Sequence, residues 1–250
     1  MRGASHDEDP YARGSPGVPV DVPPTAAPAV SQPVDLRNQR KARMPVLCGG
    51  WHAAEMIGSD PKADLLGYLR DARDAVLWKL DGLSEYDVRR PLVPTGTNLL
   101  GLVKHLATVE WGHFGAAFGQ PFEESLPWVE EAAEPNADMW ATAEESREYI
   151  VGLFRRIASH SDTVIDGLPL DAVGQVPWWP AENREVTLHR ILVHTIAEAH
   201  RHAGHADIVR ELVDGSAGLQ AGGEGLPAGD SNWWQRHRER VEQEARTARR

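Results

Sequence analysis

Residues 186–215 read VTLHRILVHTIAEAHRHAGHADIVRELVDG and carry five of the chain's eleven histidines. At about 100° per residue, Leu188, Ile191, Thr195, Ala206, Val209 and Val213 share one face, so the run is a helix with an apolar stripe, opened by Thr187 and closed by Gly215. Glu198 and His202 lie one turn apart on that same face. A carboxylate in a buried stripe is costly unless a cation or a dense set of hydrogen bonds compensates it. Arg201 is the nearest basic side chain in sequence, but it points roughly 100° away from His202 around the helix. A divalent metal is the simplest compensation.

Working outward, the 250-residue chain is 41% hydrophobic, enough for one substantial core. Its formal charge of -11 argues against a nucleic-acid partner, because backbone binding depends on phosphate neutralisation by Lys and Arg. No stretch approaches a membrane span, and the N-terminus lacks the apolar centre of a secretory signal. A cytoplasmic protein with no membrane partner is expected. The lone cysteine, Cys48, fits a reducing compartment and is read as incidental. Eight of the eighteen prolines fall in the first 45 residues, without a sustained apolar period. Residues 1–57 are therefore expected to be a disordered tail, with Met44 or Met56 as alternative starts, and residues 58–250 a helical domain.

Asp60-Pro61 is an N-cap followed by proline at the first helical position, and apolar residues from Leu65 to Leu80 recur at three and four residues until Gly82. A second helix runs from Thr97 or Asn98 through Phe118, with Gly101, Leu102, His105, Val109, Gly112 and Ala116 on its inner face. Thr142-Ala143-Glu144-Glu145 forms a capping box for a third helix reaching Gly167. Ser231-Asn232-Trp233-Trp234 starts a shorter amphipathic helix with a basic end. Nothing between these runs alternates long enough for a sheet. Four long helices predict an all-α four-helix bundle, an architecture that builds metal sites from facing helices. The two connections of about twenty residues exceed the usual length and are placed to cross the bundle end or roof a pocket.

The strings LLGLVKHLATVEWGHF and HTIAEAHRHAGHADIVRELVDG, after a first helix ending in GLSEYDVRR, resemble the DinB-like (YfiT-like) superfamily, in particular its actinobacterial branch. The resemblance covers about Asp60 to Gly215. It implies an up-down-down-up bundle and a metal held by His105, Glu198 and His202. Many members place three histidines there, and Glu198 departs from that pattern. The set looks like that of the mycothiol-dependent maleylpyruvate isomerases.

Two imidazoles and one carboxylate leave a fourth position on zinc for water or substrate, a catalytic rather than a structural pattern. Zinc is the first choice of ion; nickel and ferrous iron accept the same donors. A small thiol docked on such an ion becomes thiolate, ready to attack an electrophile; the resemblance to the actinobacterial branch implies mycothiol as that co-substrate. Three classes compete, in this order: a metal-dependent thiol S-transferase or isomerase, a non-catalytic metal-binding bundle in stress response or as a scaffold, and a non-haem iron enzyme. His194 and His205 flank the ligand face and are expected as hydrogen-bond partners behind the ligands or as pocket wall. Trp178 and Trp179 are packing aromatics with a substrate-wall role open to them. His189 and His200 face solvent, and His113 and His160 receive no role. Glu110 is expected in an ion pair, and Arg190, Arg201 and Arg210 on the surface. Oligomeric state is open, a homodimer included. HExxH, CxxC and GxSxG are all missing, which removes metalloprotease, thiol-disulfide and serine-hydrolase chemistry.

Overall fold

A computed structural model describes residues 60–223 and 225–249. The expected tail, Cys48, Met44 and Met56 lie outside them. The long helices are α1 (Pro61–Leu77), α3 (Leu99–Glu110), α4 (Arg147–Gly167) and α5 (Leu188–Asp214), with a short α2 (Glu85–Arg89) and a C-terminal α6 (Ser231–Ala248). Each start has a side-chain cap that satisfies an otherwise orphaned N–H. Asp60 accepts from Lys62, Asn98 from Gly101, Ser146 from Tyr149 and Thr187 from Arg190. Gly215, with φ 82°, closes α5 in the left-handed conformation that a side chain would oppose.

Cross-helix contacts fix the directions. Lys62, at the start of α1, donates to the carbonyls of Ile165, Asp166 and Leu168 at the end of α4, while Arg147 at the start of α4 donates to Leu83 beyond the end of α1. These two helices are antiparallel. Lys79 pairs with Asp207 at 3.0 Å and donates to Gly218, so α1 and α5 end together. Lys104, midway along α3, pairs with Glu145 just before α4, and His160, late in α4, meets the carbonyl of Gln120 after α3, so these two helices run the same way. The bundle therefore runs up-down-down-up. Its core includes Leu69, Val76, Leu102, Phe154, Ile157 and Ile191, all almost fully buried. No helix among the described residues is long and apolar enough to cross a membrane.

Several local expectations change. The second helix does not stay α-helical to Phe118: it passes at Trp111 into a π-helical turn through Gly115, then a 3-10 turn through Phe118. His113 lies within this π turn, where the i→i−4 spacing is broken, and it is buried. The capping box forms only in half. Glu145 accepts from the Thr142 N–H at 2.7 Å, but Lys104 also holds that carboxylate, and the helix starts at Arg147 under Ser146. The GLSEYDVRR turn contains α2, capped by Ser84. A two-stranded antiparallel hairpin, β1 (Val173–Gln175) and β2 (Glu185–Thr187), corrects the expectation of no sheet: three residues per strand are too few to show alternation. The C-terminal helix begins at Ser231 as expected, under an Asp230 cap, and it buries none of its described residues. Arg210 is buried, not on the surface, donating to the carbonyls of Lys79 and Asp81 and pairing with Asp214.

Candidate metal centre

The middle of α5 faces the middle of α3, and there His105, Glu198 and His202 meet. The Nε2 atom of His202 lies 2.9 Å from Glu198 Oε1, and the Nε2 of His105 lies 3.6 Å from the same oxygen. One ligand atom from each residue falls within 4.8 Å of the others. The two imidazoles stand edge to face, 4.7 Å between centroids. His202 is buried, while His105 and Glu198 are half-buried. Glu198 is thus at the rim of the stripe rather than within it, facing an approach from outside.

The rings are turned by what holds their other nitrogens. His105 Nδ1 lies 2.7 Å from Asp138 Oδ2, and His202 Nδ1 lies 3.3 Å from His205 Nδ1. With Nδ1–H donated to Asp138, His105 keeps a lone pair on Nε2 toward the cluster. Burial pushes the Glu198 carboxyl up, but the hydrogen bond and charge of His202, with those of His105, outweigh it and hold the group below its ordinary value. Burial and the neighbouring His105 hold His202 below the ordinary imidazole value. Among the described residues Glu198 meets no Lys or Arg; Arg201 is exposed. Two imidazole nitrogens and one carboxylate oxygen are the donor types a divalent ion such as zinc accepts, so the donor set fits one.

A second group of side chains lies toward the α5 N-terminus. His113 is buried, and its Nδ1 meets Thr195 Oγ1 at 3.1 Å, one turn along α5 from Glu198. Burial, reinforced by His194, lowers its pKa to about 4, so the ring is neutral near pH 7. Trp178, at the hairpin, stacks on His113 with rings 13° from parallel, and 53% of it stays exposed. Gly112 makes this approach feasible, because a Cβ there would sit 2.7 Å from Trp178 Cη2. Trp179 and His194 complete the wall, 5.0 Å apart edge to face.

The expected ligands therefore converge, His205 backs one of them, and His194 belongs to the aromatic wall. His189 is exposed as expected, whereas His200 is half-buried. Two residues escaped sequence reasoning. His113 sits in WGHFG, where glycines on either side hint at close packing, but the π turn conceals its direction. Asp138 sits in a long connection where no periodicity marks it.

The class defined here is a helical bundle with a His-His-Glu cluster that could hold a metal ion. A model of the mycothiol-S-transferase family matches residues 64–215, more than half of the chain, and the protein belongs to that DinB-like family. No curated protein shows significant similarity to the chain. A solved crystal structure of a conserved protein from Enterococcus faecalis is similar at 18% identity, covering 63% of this chain and 99% of that chain with a TM-score of 0.47.

Proposed function

We propose that this protein is a metal-dependent S-transferase joining a low-molecular-weight thiol, with mycothiol as the first candidate, to a small electrophile. The carrying observation is the convergence of two imidazole nitrogens and one carboxylate oxygen within 4.8 Å, in a chain of the mycothiol-S-transferase family. A divalent ion at this point, zinc first and nickel or ferrous iron by the same donors, would supply Lewis acidity that lowers the pKa of a coordinated thiol.

The chain's own residues have distinct tasks. His105 and His202 present neutral Nε2 atoms, and Glu198 contributes the single negative charge. In the transfer the thiol proton leaves to water and a sulfur–carbon bond forms to the electrophile. The bond to the leaving group breaks with its electron pair going to that group. The half-exposed Glu198 marks the side from which both reactants approach. His113, Trp178, Trp179 and His194 form an aromatic wall suited to a flat electrophile.

Cobalt-substituted protein without a histidine tag tests this. Mycothiol should produce a thiolate-to-metal charge-transfer band, and a haloarene should then yield a thioether conjugate by mass spectrometry. Bacillithiol and glutathione serve as comparisons. If no thiol alters the spectrum and no conjugate forms, S-transfer is abandoned for a non-catalytic bundle or iron chemistry.

A further inference from the structure

We propose that Asp138 is a positioning residue for the metal centre: it fixes the tautomer and orientation of His105 from the far side of the ring. This role rests on the metal-centre reading above. The hydrogen bond from His105 Nδ1 to Asp138 Oδ2 is 2.7 Å long and spans 33 residues of sequence, so its geometry must come from whatever holds the connecting segment.

That segment is pinned by the helix that carries His105. Asn98 caps α3 with its oxygen and donates through Nδ2 to the Met139 carbonyl at 3.2 Å. At Gly101, one turn on, a Cβ would overlap that same Met139 oxygen, so the backbone of residue 139 lies directly on α3. Lys104, 2% exposed, donates to the Trp140 carbonyl at 3.0 Å, pairs with Glu145 at 2.9 Å and sits 4.1 Å from the Trp128 ring centroid. Asn98, Gly101 and Lys104 follow the three-residue spacing of one helix face and end beside His105. They clamp the carbonyls on the C-terminal side of Asp138, leaving its carboxylate at the imidazole.

A carboxylate behind a metal-binding histidine orients the ring and raises its basicity; losing such a partner typically weakens metal affinity 10–100-fold. The two histidines differ here. His202 is backed by the exposed ring of His205 at 3.3 Å, whereas His105 is backed by a carboxylate at 2.7 Å.

The test uses the full chain without a tag, Zn2+ as probe, and the variants Asp138→Asn and Asp138→Ala. Competition against a chromophoric chelator reads affinity, and long-range 1H–15N spectra of metal-free protein read the His105 tautomer. The wild-type protein should show His105 protonated at Nδ1. Asp138→Asn, which retains an acceptor oxygen, should keep that tautomer and bind zinc about 10-fold more weakly; Asp138→Ala should mix tautomers and lose up to about 100-fold. An unchanged tautomer and unchanged zinc affinity in both variants overturn the role and leave Asp138 as a loop contact. Zinc that fails to bind even the wild-type chain overturns the metal centre, and this role with it.

Discussion

Arg73 grips Glu110 through two hydrogen bonds, of 2.8 and 2.6 Å, and Asp162 through a third of 2.6 Å, whereas Glu198 on α5 meets only imidazoles. Glu110 is buried and Glu198 half-buried, and the two clusters differ in how charge is compensated. Burial alone would depress Arg73, but Glu110 and Asp162 outweigh it and hold the guanidinium above its ordinary value. That network is complete without any added ion. The His105–Glu198–His202 cluster has no Lys or Arg on its carboxylate among the described residues and could hold a metal ion, and His105 and Glu198 are only half-buried. The Glu110 carboxylate is satisfied by its own arginine, whereas the Glu198 carboxylate meets imidazole nitrogens with which it could hold an ion.

The largest effect is expected on the architectural side. Arg73→Ala strands Glu110 at 2% exposure and should cost about 3–5 kcal/mol in chemical denaturation, while the folded fraction keeps its metal stoichiometry. Metal loss from Arg73→Ala protein that is still folded would break the comparison. The pH response comes next. His113 has its folded pKa depressed to about 4 against an ordinary 6.5, so between those values the unfolded chain binds the extra proton. Stability contributed by neutral His113 is full above pH 6.5 and is lost as pH falls toward 4, by about 3 kcal/mol in total. His113→Asn should flatten that part of the melting temperature profile between pH 4 and 7; a parallel profile would show that His113 is not the group involved.

Glu198→Gln sharpens the contrast directly. Without metal it should change stability by less than about 1 kcal/mol, since no arginine is left stranded. With metal at about 100 times its dissociation constant, wild type should gain about 2.7 kcal/mol, and the variant should lose most of that gain. Differential scanning fluorimetry with and without metal reads both. The smallest effect belongs to His205→Ala, which removes only an imidazole contact and should weaken zinc binding by less than about 10-fold in chelator competition. A larger loss than Asp138→Ala gives would reverse the order of support for the two histidines.

The fourth helix was legible because Thr187, a long apolar stripe and Gly215 agree on its limits, and the Glu198–His202 pair stood out as polar on an apolar face. Glu110 was legible as an ion-pair member, its partner Arg73 lying on another helix. His113 was not, because a period of 3.6 cannot anticipate the π turn at Trp111–Gly115. Asp138 was not, because its position depends on Asn98, Gly101 and Lys104 gripping a segment some forty residues away in sequence, a tertiary relation without local pattern. The hairpin that brings Trp178 to Gly112 was hidden by its length.

The central claim is that His105, Glu198 and His202 hold one divalent ion, and elemental analysis of native protein purified without a histidine tag tests it most directly. The account predicts one ion per wild-type chain and none in a His105→Ala, His202→Ala double variant that still folds. Stoichiometric metal retained in that double variant would contradict it.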